Sequence, residues 1–392
     1  MAAYLILSSV VFMSFLAGAT TFPFLSLYAQ SLGASLAQIA WVVGVNATAS
    51  LLTNLFWGGQ VDRVGRRKPF IVGAMATLTV TSLAMANVPV GSWWLLPPIQ
   101  IVSGIASGGY AIASLAMMGA ILEGHPNRAT MLGGYRMSGS LAFSMAILMA
   151  GAIARRSGFH TTFTAAAGMY AVALLLALLL REPKQVAATD RPRPAFRALL
   201  AGPMRPLLIL IMSFWAPFAA VQTVWGPYVS TSLGYGPDGY ARFWAIAAFV
   251  EVPCMLLVGY LADRYSRRLT FTLGLGGIAL VFAAYAFIPS TGGLIAAQIL
   301  RGFAFAAFTA TALTMVIELS PPEARGRVAS LYQVSQGTAA MLGSYGGGPI
   351  AQAFGYRAIF LLSACTVALG AGYAHVRLRA ARPEPVPAVA VG

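Results

Sequence analysis

The stretch Gly58-Gly59-Gln60-Val61-Asp62-Arg63-Val64-Gly65-Arg66-Arg67 returns later in the chain as Gly259-Tyr260-Leu261-Ala262-Asp263-Arg264-Tyr265-Ser266-Arg267-Arg268. Asp62 and Asp263 stand 201 residues apart in a chain of 392, and the same spacing separates Ser31-Leu32-Gly33 from Ser232-Leu233-Gly234. Phrases that keep their mutual distance at half the chain length mark an internal repeat. The copies are not identical. Their offset drifts to 198 at Gln100 and Gln298, and Arg242 stands where the first copy has Trp41.

What surrounds the phrases decides the solvent. Hydrophobic residues make up 58% of the chain and charged residues 9%, against about 25% charged in a soluble domain. So few charges cannot cover a water-exposed surface of this size, so a lipid bilayer surrounds much of the chain. The net charge of +15 would suggest nucleic acid in a soluble protein. Here the basic residues fall in short clusters between apolar runs, which fits membrane flanks and excludes a nucleic-acid partner. A repeat of half the chain joined to long apolar segments is the pattern of duplicated membrane transporters. Cys254 and Cys365 both lie in apolar segments, and there are three histidines. That leaves neither a disulfide framework nor a metal site, and implies no cofactor. The beginning of the chain carries Ala17-Gly18-Ala19 after an apolar run. It lacks a positive leader and is too long for a signal peptide, so it reads as the first span.

A criterion of about 20 predominantly apolar residues per helix predicts an all-α membrane protein with twelve transmembrane helices in two pseudo-symmetric six-helix bundles. The expected spans are 5–28, 37–58, 70–88, 95–120, 132–154 and 162–180, then 206–230, 241–261, 269–289, 294–317, 328–351 and 358–378. The organisation that follows is a bundle over 1–180, a cytoplasmic linker over 181–205 rich in proline and arginine, a second bundle over 206–380, and a disordered cytoplasmic tail over 381–392. Nineteen of the 25 lysines and arginines lie on the side of both phrases, the linker and the tail, while Arg155, Arg156, Arg242 and Arg357 lie on the other. The positive-inside rule then puts both termini in the cytoplasm, with the protein in the cytoplasmic (inner) membrane.

Physically, each phrase is a tight turn closing two helices. Gly65 can take a positive φ that suits Ser266 less well. Asp62 and Asp263 end their helices beside clustered arginines, with which they can pair. The pattern G-x-L-A-D-R-x-G-R-R resembles the loop signature of the major facilitator superfamily. Gly58, Asp62, Arg63, Gly65, Arg66 and Arg67 match it in the first copy, and Gly259, Leu261, Ala262, Asp263, Arg264, Arg267 and Arg268 in the second. Gln60, Val61 and Ser266 depart from it. The loop Glu318-Leu-Ser-Pro-Pro-Glu-Ala-Arg-Gly-Arg327 is also of the family's type. The resemblance implies alternating access by two rocking halves, with the paired loops latching the cytoplasmic ends, and it implies no catalysis. Within the family, Tyr135-Arg136-Met-Ser-Gly139-Ser140 and Glu251-Val-Pro253 resemble the fifth and eighth spans of the lactose-permease group. There, matching positions hold sugar, which makes Arg136 and Glu251 candidates for the same work. The tenth-span histidine and glutamate that carry coupling in that permease have no counterpart here.

A charge near the middle of a membrane costs at least about 2.5–3.5 kcal/mol, so it needs a partner or a purpose. Glu251, Arg136 and Arg301 are the charges placed well inside spans rather than at their ends. Glu251 is the candidate for a proton-linked or substrate-binding carboxylate. Arg301 either binds an anionic group, pairs with Glu251 or clamps helices together. Asn46, Asn54, Gln222, Trp225, Tyr110, Gln333 and Gln336 supplement them, because amides exchange hydrogen bonds with a solute and aromatic rings stack on it. The function expected is secondary active transport of a small polar organic solute, such as a sugar or glycoside, with protons as the coupling ion to be tested. The alternative is a drug or metabolite exporter. The chain is expected to act as a monomer, and no nucleophile–base constellation suggests an enzyme.

Overall fold

A computed structural model describes residues 2–64, 66–123, 125, 128–182, 204–319 and 325–380; of residues 57–64, 128–130, 133, 136, 140, 325–327, 329 and 378–380 it describes the backbone alone. The linker call over 181–205 lies almost wholly outside the described residues, and the tail over 381–392 lies wholly outside them. All regular structure among the described residues is helical. The helices are α1 (Ala2–Thr21), α2 (Leu25–Ser31), α3 (Leu36–Val64), α4 (Lys68–Ala86), α5 (Leu96–Ile121), α6 (Arg128–Leu178), α7 (Met204–Pro227), α8 (Gly236–Arg264), α9 (Arg267–Phe287), α10 (Thr291–Glu318) and α11 (Arg325–Ala380). With α1 and α2 taken as one interrupted run, ten of these are long and apolar enough to cross a membrane.

Prolines and glycines place the interruptions. Pro23 has no N–H to donate, so the first span breaks into a short 3₁₀ turn over Phe22–Phe24 before α2 resumes. Pro227 stands at the corresponding end of α7, where a π turn over Tyr228–Ser232 follows. The sequence predicts loops at 155–161 and 352–357. Each is reduced to a bend at one glycine, Gly158 (φ 77°) inside α6 and Gly355 (φ 82°) inside α11. A positive φ is open to glycine without steric cost, so one residue turns the chain where several were expected.

Segments 2–182 and 204–380 repeat one packing scheme. In the first, α1 packs on α6, α3 on α5, and α4 on both α5 and α6; in the second, α7 packs on α11, α8 on α10, and α9 on both α10 and α11. The segments meet through α3 on α11, α6 on α8, and α2 on α7. Most of their polar contacts gather at the end opposite the two phrases, with Thr48 and Tyr345 sharing one at 3.2 Å further in. Tyr240 donates to the Pro23 carbonyl at 2.7 Å, Thr231 donates to Gln30 at 2.9 Å, the Ala37 N–H donates to Gln352 at 3.0 Å, and Arg155 pairs with Asp238 at 3.2 Å.

At the phrase-bearing end, Gly58, Asp62 and Arg63 lie in the last turns of α3, their side chains outside the described residues, and Gly65 lies outside them altogether. Arg66 is exposed. In the second copy Gly259, Asp263 and Arg264 occupy the last turns of α8. Arg267 pairs with Asp263 at 2.7 Å and also with Glu318 at the end of α10, while Arg264 lies 5.9 Å over the Tyr260 ring. Ser266 departs from expectation. It is extended rather than left-handed (φ −171°), and its hydroxyl caps α9 by accepting from the Leu269 N–H at 3.3 Å.

Candidate functional site

A cavity of 340 Å³ lies where α3, α7, α8 and α11 face each other. Helical periodicity builds its walls. Trp215, Phe218 and Gln222 are spaced i, i+3, i+7 along α7; Asn46, Ser50 and Asn54 are spaced i, i+4, i+8 along α3. Gln333, Gln336, Gly337, Ala340 and Ser344 form one stripe of α11, and Tyr240 and Trp244 come from α8. Each set follows the period of about 3.6 residues that keeps side chains on one helix face. The result is a chamber with amides and hydroxyls on some walls and a large aromatic surface from Trp215, Phe218 and Trp244.

Of the charged candidates, Arg301 lies behind these walls. Arg301, on α10, is 7% exposed. It donates to Gln298 at 3.1 Å, and its guanidinium sits 4.2 Å over the Trp244 ring and 5.7 Å from the Phe218 ring. Gln298 in turn donates to the Tyr285 hydroxyl at 3.0 Å. Arg301 therefore backs the aromatic wall: one face of the indole carries the cation, which holds the ring by a desolvated cation–π contact. Glu251, on α8, is partly buried and lies within electrostatic range of Arg301. Among the described residues no salt bridge joins the two. The backbone of Arg136 runs through α6, and its side chain lies outside the described residues.

Of the residues singled out by sequence, Asn46, Asn54, Gln222, Gln333 and Gln336 meet in the one cavity. Asn46 is held by donation to the side chain and carbonyl of Gln100 at 2.9 and 3.2 Å. Trp225 is elsewhere. It is 1% exposed, stacked on Tyr285 at 3.9 Å, and its indole N–H finds no partner among the described residues. It is core rather than chamber wall. Tyr110 is likewise buried, sharing a 2.7 Å hydrogen bond with Ser14. Sequence reasoning missed Trp215, Phe218, Tyr240 and Trp244. The shared face of Trp215, Phe218 and Gln222 was the signal that could have found the first two.

Comparison with known proteins places this architecture. The description of the Major Facilitator Superfamily matches residues 7–293 and 244–391, and the chain belongs to that family. It is similar to a putative sugar efflux transporter of Deinococcus radiodurans (28% identity over 87% of this chain and 89% of the other). Similar too are a maltose permease of Geobacillus stearothermophilus (26%, 91% and 90%) and the multidrug resistance protein MdtG of Enterobacter lignolyticus (25%, 95% and 92%). Among solved structures, the nucleoside transporter NupG superimposes with a TM-score of 0.80 at 16% identity, covering 97% of this chain and all of that one. The chain is thus a multi-pass membrane transporter and not an enzyme.

Proposed function

We propose that the chain moves a small, largely uncharged organic solute, a sugar or glycoside, across the cytoplasmic membrane by alternating access through the central cavity. The observation that carries this reading is the composition of that cavity. Asn46, Asn54, Gln222, Gln333 and Gln336 face it from both segments of the chain, opposite Trp215, Phe218 and Trp244. Amides match hydroxyl groups in both directions, and aromatic faces suit the C–H surface of a ring. No Asp, Glu, Lys or Arg lines the cavity among the described residues, which argues for a neutral solute.

The mechanical part of the proposal takes 1–180 and 206–380 as two six-helix bundles. The bends at Gly158 and Gly355 divide α6 and α11 into two spans each, which raises ten membrane-capable runs to twelve. With both termini cytoplasmic, the interlocked end at Tyr240–Pro23 and Arg155–Asp238 is the outer one, and the structure corresponds to an inward-facing state. In the opposite state those contacts part, and the loops bearing Asp62–Arg66 and Asp263–Arg267 close the cytoplasmic end. Glu251 is the proposed proton-linked carboxylate, and Arg136 a substrate contact. Arg301 acts through Trp244 as a positioning residue.

A second reading, export of a drug-like metabolite, is favoured by the aromatic wall and by the similarity to a multidrug resistance protein. Exchange of labelled sugars, glycosides and neutral aromatic drugs in proteoliposomes separates the two. For a sugar or glycoside, Gln222→Ala and Gln336→Ala should each weaken half-saturation by about two- to tenfold, the loss of one net hydrogen bond. Unchanged half-saturation in both variants would remove the amides, and with them the polar-solute reading.

A further inference from the structure

We infer that the amino-terminal segment holds a second ligand subsite for a neutral, hydroxyl-rich ring, and that the carboxyl-terminal segment has filled in its own equivalent. The inference rests on the proposed central site and extends it. A separate cavity of 240 Å³ lies inside the amino-terminal segment and shares Phe22 and Asn46 with the central one. That is many times the roughly 30 Å³ of one water, and less than the roughly 300–1,000 Å³ of a complete small-molecule site. It is sized for part of a ligand whose remainder occupies the central chamber.

The chemistry of the lining narrows the ligand. Thr81, Ser82, Gln100, Ser103 and Ser107 bring hydroxyls and an amide, and no Asp, Glu, Lys or Arg lines the cavity among the described residues. Ser82 is 4% exposed, and neither its hydroxyl nor that of Ser103 has a hydrogen-bond partner among the described residues. Both residues line the open cavity, so their hydroxyls are available to hydrogen-bond a ligand that enters it. Charged ligands find no counter-charge here, while hydroxyl groups find donors and acceptors together.

The internal repeat explains why the space exists. Tyr28 donates to the Met85 carbonyl as Tyr228 does to that of Tyr285, and Gln100 reaches Met85 as Gln298 reaches Tyr285. A side chain on Gly104 would run into Asn46 and Ala49, and one on Gly302 into Ala247 and Val250. These anchors fix which residues correspond. Gly18 then answers to Phe218, Leu25 to Trp225, Ser82 to Phe282, Met85 to Tyr285, Ser103 to Arg301 and Ser107 to Phe305. The second copy is larger at every one. Its side chains touch: Phe218 lies 5.3 Å from Phe305 and 6.5 Å from Phe282, Trp225 stacks on Tyr285 at 3.9 Å, and Arg301 lies 5.7 Å from Phe218. The region that holds contacting aromatic rings in one segment is an open cavity with hydroxyl walls in the other.

The test uses purified full-length protein in lipid nanodiscs and two neutral probes, 4-methylumbelliferyl β-glucoside and 7-methoxy-4-methylcoumarin, which lacks the sugar. Wild type should bind the glucoside about tenfold or more tightly than the coumarin, the preference of a site built to hydrogen-bond hydroxyls. Ser82→Phe, which copies Phe282, should reduce that preference severalfold while leaving coumarin affinity unchanged, and the retained coumarin binding reports an intact fold. Should that variant not fold, the Ser82→Ala/Ser103→Ala pair, which removes hydroxyls without filling space, should still reduce the preference severalfold. Two results would overturn the inference: a wild type with no glucoside preference, meaning the cavity holds water only, or variants that keep the preference in full. Failure of the central site looks different. There, Trp244→Ala with Gln336→Ala would leave the affinities of both probes unchanged.

Discussion

Replacing Arg301 with methionine separates a clamp from a ligand. The substitution keeps a long side chain of similar reach but removes the charge and all five donors. Three contacts disappear: the 3.1 Å hydrogen bond to Gln298, the 4.2 Å approach to the Trp244 ring, and the 5.7 Å approach to Phe218. Gln298 is 0% exposed, so its orphaned carbonyl costs about 1–3 kcal/mol. A desolvated cation–π pair contributes about 2 kcal/mol. Set against these is relief from burying a cation with no paired carboxylate among the described residues, an effect that often recovers a large part of such losses. The net expectation is destabilisation of about 1–3 kcal/mol, seen as a fall in Tm of a few degrees at about 2–4 °C per kcal/mol for a large domain. Trp244 should lose its fixed orientation, so its fluorescence should broaden. Arg301→Lys keeps the charge but not the planar stack, and should fall between wild type and methionine. In both variants solute affinity should weaken in step with the loss of order at Trp244. A methionine variant with wild-type Tm and wild-type Trp244 fluorescence but no solute binding would refute this. It would mean that the guanidinium contacts solute directly.

Two more consequences can be checked on the same preparations. Glu251→Gln should abolish accumulation driven by a proton gradient while retaining solute exchange, and its transport should lose its dependence on pH; accumulation at the wild-type level in proteoliposomes would dismiss the coupling role. Gly104→Val should destabilise the chain by about 1–3 kcal/mol as an overpacked contact, since even a Cβ there would stand 2.6 Å from the Asn46 carbonyl and 2.9 Å from the Ala49 Cβ. Gly73→Ala, with nothing within 4 Å of its Cβ, is the control, and equal melting of the two variants would show that the α3–α5 contact does not need glycine.

The architecture was legible because lipid enforces it. Long apolar runs have no other stable form than helix in a bilayer, and the doubled phrase announced the repeat. What escaped was detail carried by single residues. Gly158 and Gly355 do the work of whole loops because a positive φ reverses the chain in one step. Ser266 escapes strain by becoming an N-cap, a choice its residue type allowed but the phrase alone did not reveal. In the site, amides were found because a polar group inside an apolar helix is conspicuous. Aromatic residues were not, since tryptophan is at home in core, interface and chamber alike. Trp225 and Trp215 lie on the same helix, yet 100° per residue turns Trp225 about 80° away from Trp215, enough to put it against Tyr285 instead.

The two copies also assign different tasks to one scaffold device. In each, a glutamine one turn before a close-packed glycine reaches across to the neighbouring span: Gln100 before Gly104 to Met85, Gln298 before Gly302 to Tyr285. That leaves the amide oxygen of each free to hold something else. In the first copy it holds Asn46, a polar group on the chamber wall; in the second it holds Arg301, which steadies an aromatic wall from behind. Under the proposed alternating access, a duplicated scaffold can keep such staples identical because each segment has to stay rigid as it moves. The group each staple presents is released from that constraint, since a solute meets the two halves from opposite sides. On the proposed function, residues that differ between the copies at matched positions of the interior are therefore the candidates for setting what the chamber accepts. The pairs Ser82/Phe282, Ser103/Arg301 and Ser107/Phe305 are where that difference in volume and charge is largest.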